Sequence, residues 1–169
     1  LEPGDVLYVP PGIAHWGTTC GCLTGAAWAI ATVLTEPVRS QVINELFTWY
    51  ETTKLPNFKP AKPLKSPKKV KASQANSVLC HASIESWVNA SGEKKGSAEQ
   101  KERCACLVGH VTEKTVELLN DVRKDRFTPK HQMSKVAASC MECHDGSATH
   151  SSVLTHMTCT SCHTDAHNQ

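Results

Sequence analysis

Aromatic residues are scarce in this chain: four Trp, three Phe and two Tyr in 169 residues, or 5%. With 40% of residues hydrophobic, that is a thin apolar core for one compact domain and a tail. A large apolar cofactor would give the side chains something to pack on. No run of eighteen apolar residues occurs, so no helix of ordinary length spans a membrane. Excess charge is also missing. The formal net charge is +2 and points to no particular partner, nucleic acid included. There is no initiating Met, basic n-region or cleavage pattern, so a chain starting at Leu1 reads as already processed or as a fragment.

Cysteine, in contrast, is plentiful, at nine residues. Cys140-Met141-Glu142-Cys143-His144 and Cys159-Thr160-Ser161-Cys162-His163 are both C-x-x-C-H runs, the attachment pattern of c-type haem. The spacing follows from the chemistry. Two cysteines three apart can form thioethers to the two vinyl groups of one porphyrin, and the histidine that follows is held against the iron as its proximal ligand. Cys140, Cys143, Cys159 and Cys162 are therefore the expected covalent anchors of two haems c, with His144 and His163 as proximal ligands. One zinc ion on these four cysteines is the rival, and it leaves both histidines surplus.

Five cysteines remain: Cys20, Cys22, Cys80, Cys104 and Cys106. An odd set cannot all pair as disulfides, although haem attachment takes place outside the cytoplasm, where disulfides are permitted. Cys20/Cys22 and Cys104/Cys106 are Cys-x-Cys pairs, which bridge internally only with strain. Metal ligation is the leading reading, with buried free thiols as its alternative. Residues two apart on an α-helix differ by about 200° of rotation, so only one of each pair faces a shared centre if both lie in regular helix. Cys104 shares a face with Leu107, Val108 and Val111; Cys106 does not. The expected convergent set is Cys20, Cys80 and Cys104. Thiolates select iron–sulfur clusters, zinc or copper. A 2Fe–2S site would want a fourth ligand, for which Cys22, Cys106 and His81 are weaker candidates, alongside water or an exogenous ligand.

Hydrophobic periodicity predicts a mainly α chain. Residues 1–17 read as an extended segment with a Pro10-Pro11-Gly12 breaker. Residues 18–53 read as a helical hairpin. In it Thr18 or Thr19 caps the first helix, Leu23, Ala26, Ala27, Ile30 and Leu34 follow at helical spacing, and small residues (Gly25, Ala26, Ala27, Ala29, Ala31) suit close packing against another helix. Pro37 opens the second helix, where Val42, Leu46 and Tyr50 recur every four residues. Residues 54–72 alternate Pro with Lys and contain no acid. They read as an extended linker, with a solvated connector preferred over a docking strap for an acidic partner. Residues 73–128 supply two more helices, one capped by Ser77 and one by a Ser97–Gln100 capping box. Beyond Pro129 the chain lacks apolar periodicity, and residues 129–169 read as an irregular dihaem segment.

These residues resemble split-Soret cytochrome c. The resemblance runs through Trp16-Gly17-Thr18-Thr19-Cys20-Gly21 with Gly25-Ala26-Ala27, Val42 to Glu51, and Thr53-Lys54-Leu55-Pro56. It continues through Ser77 to Ser83 with Trp87, Glu102-Arg103-Cys104, Leu118 and Asn120, and both C-x-x-C-H runs in order. It covers about residues 16–164. The cysteine pattern is also similar to a wider group of redox proteins with a C-G-C-A-x-x-G motif. The resemblance implies a mostly helical homodimer with two bis-histidine haems per chain, and haem attachment itself points to a periplasmic or otherwise extracytoplasmic protein. It also implies a non-haem iron centre, 2Fe–2S on three cysteines at the positions of Cys20, Cys80 and Cys104. The family's longer N-terminal region has no counterpart here. Residues 4–15 instead fit half of a cupin signature ending in His15, read as a junction or a coincidence.

Distal haem ligands are expected from the histidines near the tail: His156, which precedes the second motif as His-x-x-Cys, then His167 and His150. Methionine is scarcer there, with Met133, Met141 and Met157. His110 lies inside a helix and reads as a packing or surface residue. Together these features predict an electron-transfer protein that exchanges electrons with redox partner proteins. An oxidoreductase reducing a small molecule at a haem or at the incompletely ligated iron is the alternative.

Overall fold

The computed structural model describes residues 16–145 and 155–157. Residues 1–15, with the cupin-like run and His15, lie outside the described residues. So do His150, Cys159, Cys162, His163 and His167. The chain divides into two units between Pro129 and Lys130.

Among its described residues the first unit has four helices. Helix α1 (Gly21–Val33) and helix α2 (Val38–Thr52) form the predicted hairpin. Helix α3 (Cys80–Ser91) and the long helix α4 (Ala98–Arg123) follow. Helices α1, α2 and α4 pack on one another. The apolar rows meet as the periodicity requires: Leu23, Ala26 and Ile30 from α1, Val42, Leu46 and Tyr50 from α2, and Leu107, Val111 and Leu118 from α4 are buried. Of the small residues Ala26 is buried and Ala27 half-buried, while Gly25, Ala29 and Ala31 face solvent beside the exposed Trp28 and Val33.

Helix starts differ from expectation by one or two residues. Neither Thr18 nor Thr19 caps α1; the cap position is Cys20, with extended backbone. Pro37 precedes α2, and Glu36 reaches in to accept from the Ser40 amide. Ser77 accepts from the Leu79 amide, one turn ahead of α3. The Ser97 cap on Gln100 forms as read, and the Gln100 amide oxygen turns back to the Gly96 amide. Gly92 ends α3 at φ 75°, in the left-handed region that glycine enters without a Cβ clash.

Strands β1 (Lys54–Leu55) and β2 (Ser73–Gln74) pair antiparallel and pinch the ends of the Lys/Pro segment together. Between them the segment is a strap held on the first unit, not the solvated connector the composition suggests. Its anchor is Glu102 of α4, 2% exposed. One carboxylate oxygen accepts the backbone amides of Leu64, Lys65 and Ser66 at 2.9, 2.5 and 3.2 Å. The Lys65 amide above all, then those of Ser66 and Leu64, holds this carboxyl below the usual carboxylate range. Further along, Ser66 donates to Glu99, Lys68 pairs with Glu93 and Glu99, and the Trp87 indole donates to the Lys71 carbonyl. Phe58 lies against Gly109 of α4, where a Cβ would stand 2.7 Å from the ring.

This anchor predicts a pH response. A carboxyl whose folded pKa lies below its unfolded one stabilises the fold above the unfolded value, and that contribution is lost as pH falls through the folded one. Acidification below the ordinary carboxylate range is therefore expected to release the strap. At neutral pH, Glu102→Gln removes the charge that strengthens the three hydrogen bonds and is expected to speed tryptic cleavage at Lys65, Lys68 and Lys69 about tenfold. Equal cleavage rates in the two proteins would contradict the anchoring role.

The second unit contains helix α5 (Lys135–His144), capped by Ser134, whose hydroxyl accepts from the Ala137 amide. This corrects the wholly irregular reading of the tail. A ten-residue helix with one buried residue, Ala137, leaves little apolar stripe for periodicity to detect.

Candidate metal centre

Cys20 and Cys80 approach each other through the backbone. An isolated antiparallel bridge joins Thr19 to Leu79. Across it the Cys20 amide donates to the Val78 carbonyl at 2.8 Å and the Cys80 amide to the Thr18 carbonyl at 3.0 Å. Helices α1 and α3 begin directly from this bridge, so each cysteine sits at a helix start. Because Cys20 is the cap and not a helical residue, the 200° separation expected of a helical pair does not apply. The Cys20 and Cys22 sulfurs lie 3.4 Å apart. Cys104, near the start of α4, completes the group through electrostatic contact with Cys20 and Cys22.

The thiols behave as a unit. Hydrogen bonds from Cys22 and then Cys80 hold the Cys20 thiol far below its ordinary range, against the effect of burial, and Tyr50 adds another. Cys22 moves the opposite way, because its hydrogen bond to Cys20 ties up its proton and burial disfavours its charge. Burial also raises Cys104, with the Arg103 guanidinium pulling it down. Burial pushes the Tyr50 hydroxyl well above the phenol range, and the Cys20 charge adds to the shift. The result is a half-buried patch of soft sulfur donors. Among the described residues no three such side chains stand in ready metal-binding geometry. The patch fits a thiophilic metal by its donor chemistry and its gathering, not by preset ligand distances.

Cys106 is elsewhere. It is 4% exposed and faces the strap, with its sulfur 4.0 Å from Glu102. Together with Glu102 and strap residues it lines a cleft of about 910 Å³. The strap buries the flank of α4 that the periodicity left to solvent, and Val108, placed on the inner face from sequence, is 52% exposed. His81 is exposed at the second position of α3, its ring beside Gly17. His110 has a packing role: its ring meets Trp49 edge-on at 5.1 Å and accepts the Asn57 amide at 3.2 Å.

In the second unit, helical spacing puts Cys140, Cys143 and His144 on one face of α5. Cys143 is exposed and the other two are half-buried. His156 stacks edge-on against His131 with ring centroids 5.4 Å apart. His131 was not among the expected ligands; no motif marks it.

A family model described as "Putative redox-active protein (C_GCAxxG_C_C)" matches residues 8–118. The chain belongs to the C_GCAxxG_C_C redox family. Within that family it is a homologue of the split-Soret cytochrome c of Desulfovibrio desulfuricans (strain ATCC 27774 / DSM 6949 / MB), 37% identical over 137 residues. The match takes in 79% of this chain and 49% of the relative, so the chain spans about half the length of the curated relative it matches. A solved structure that reports a novel iron centre in the split-Soret cytochrome c from Desulfovibrio desulfuricans ATCC 27774 superposes with a TM-score of 0.80 at 33% identity. That superposition covers 90% of this chain and 65% of the other. The mainly helical architecture of this C_GCAxxG_C_C protein is thus shared with a cytochrome. No helix among its described residues is long and apolar enough to cross a membrane.

Proposed function

We propose that this chain is an electron-transfer protein with two haems c on residues 129–169 and a non-haem iron centre, 2Fe–2S in type, on the helical unit. The observation that carries the reading is the convergence of Cys20, Cys22, Cys80 and Cys104 in a chain that also holds two C-x-x-C-H runs. Cys20, Cys80 and Cys104 would hold the iron centre. Cys22 is the favoured fourth donor, because its sulfur touches that of Cys20, whereas Cys106 faces the strap and His81 faces solvent. When bound, such a centre supplies a one-electron store.

For the haems, Cys140, Cys143, Cys159 and Cys162 would be the anchors and His144 and His163 the proximal ligands. His156 is the favoured distal ligand, ahead of His167 and His150. The protein's part is to set potential through axial ligands, burial and exposure; no bond-making residue is needed. Attachment of haem and the likeness to a split-Soret cytochrome c favour a periplasmic or otherwise extracytoplasmic site, a homodimer and redox-protein partners. Visible spectroscopy tests the carrier role against catalysis. A carrier with both axial positions filled is expected to be wholly low-spin when oxidised and to bind no carbon monoxide after reduction. High-spin haem that takes up carbon monoxide would favour the oxidoreductase.

A further inference from the structure

Arg103 is 1% exposed. Burying a guanidinium is costly unless hydrogen bonds and a counter-charge offset it. Its Nη2 donates to the Ser83 carbonyl at 3.2 Å and to the Ser83 hydroxyl at 2.8 Å. Its carbon lies 5.9 Å from the Trp87 ring centre. Its Nε is buried with no hydrogen-bond partner. The cation lies beside the Cys104 sulfur, which it draws toward the charged form.

The chain of contacts continues from Ser83. Its hydroxyl lies 2.7 Å from the Tyr50 hydroxyl, both fully buried, and Tyr50 in turn meets Cys20. Arginine can only donate, so Ser83 accepts from Arg103. The Ser83 hydroxyl keeps a proton of its own, and the Tyr50 oxygen 2.7 Å away is placed to accept it. In that arrangement the Tyr50 proton is left for the Cys20 sulfur. Hydrogen bonds in such a series polarise one another in a low-dielectric interior, and a cation at the head makes the last donor stronger. The two ends of the series touch Cys20 and Cys104, two of the three cysteines assigned to the iron centre.

We infer that Tyr50, Ser83 and Arg103 form a one-way hydrogen-bond chain that holds a proton donor against the Cys20 sulfur and sets the reduction potential of the iron centre. The inference rests on the iron–sulfur reading above. Donors to cluster sulfur favour the reduced, more negative state and so raise the potential. The three residues are positioning residues: they act on iron through the cysteines.

The test uses the full chain matured with its cofactors, with iron per chain counted in every sample before a redox titration followed by electron paramagnetic resonance. Tyr50→Phe keeps the ring and removes only the donor. It is expected to retain iron and lower the potential by about 59 mV or more, a tenfold change in a one-electron equilibrium. Ser83→Ala breaks the series one step back and is expected to lower the potential by less. Ser83→Thr keeps the hydroxyl and is expected to match the parent. Iron retained in Tyr50→Phe with an unmoved potential would overturn the inference, as would Ser83→Thr shifting as far as Ser83→Ala. Loss of iron from Tyr50→Phe would also overturn it, since the hydroxyl would then be a ligand or a scaffold. Absence of iron from the unsubstituted protein is a different result, and removes the iron–sulfur reading beneath it.

Discussion

Replacing Cys140 and Cys143 together by alanine is expected to leave a chain carrying one covalent haem where the parent carries two. Thioether attachment needs sulfur at both positions, and no other cysteine stands within reach on α5 (Lys135–His144). The helix brings the two anchors and His144 to a common face, so the double substitution deletes one complete attachment site. Ala138 already sits exposed in this helix, and alanine is the best helix former, so α5 should persist. The mass of the denatured chain reads the result directly, because covalent haem survives unfolding. A single loss of haem mass supports two independent anchors. An unchanged mass contradicts attachment at Cys140 and Cys143.

The second large effect separates the four gathered cysteines from the one that is not. Cys20→Ser, Cys80→Ser and Cys104→Ser are each expected to abolish the non-haem iron, because serine exchanges a soft thiolate for a poor ligand of iron–sulfur clusters. Cys106→Ser is expected to keep it fully, since Cys106 faces Glu102 and the strap. Non-haem iron and acid-labile sulfide per chain distinguish the two outcomes. Iron lost with Cys106→Ser and kept with Cys104→Ser would reverse the assignment on α4.

Why sequence reading separates some of these residues and not others is physical. The α2 row of Val42, Leu46 and Tyr50 was legible because each is fully buried and a helix facing one core repeats every three or four residues. The α4 face was not, because two surfaces cover it. Helices α1 and α2 bury Leu107, Val111 and Leu118, while the strap buries Glu102 and Cys106. The strap is bound through its own backbone amides to a carboxylate, and amides leave no mark in a residue pattern. Sequence puts Cys20 in the convergent set and leaves Cys22 a weaker candidate, because two helical residues two apart face different ways. A cap residue has its own backbone angles, and one such residue brought the two sulfurs together. Arg103 and Ser83 are polar and add nothing to an apolar row, so periodicity does not mark them as interior, yet both are 1% exposed.

The strap adds a constraint on any partner of the first unit. Its lysines are exposed, and Lys68 in addition pairs with Glu93 and Glu99. The basic surface it offers is therefore fixed in place by Glu102 rather than adaptable. Glu102→Gln would loosen that surface without touching the gathered cysteines.

The most direct measurement is a count of covalent haem and of non-haem iron on one purified, matured sample. Two haems welded to the denatured polypeptide, with iron and acid-labile sulfide in addition to haem iron, is the predicted result. A colourless protein whose chain weighs no more than its amino acids, or a haem protein with no iron beyond its porphyrins, would contradict the account.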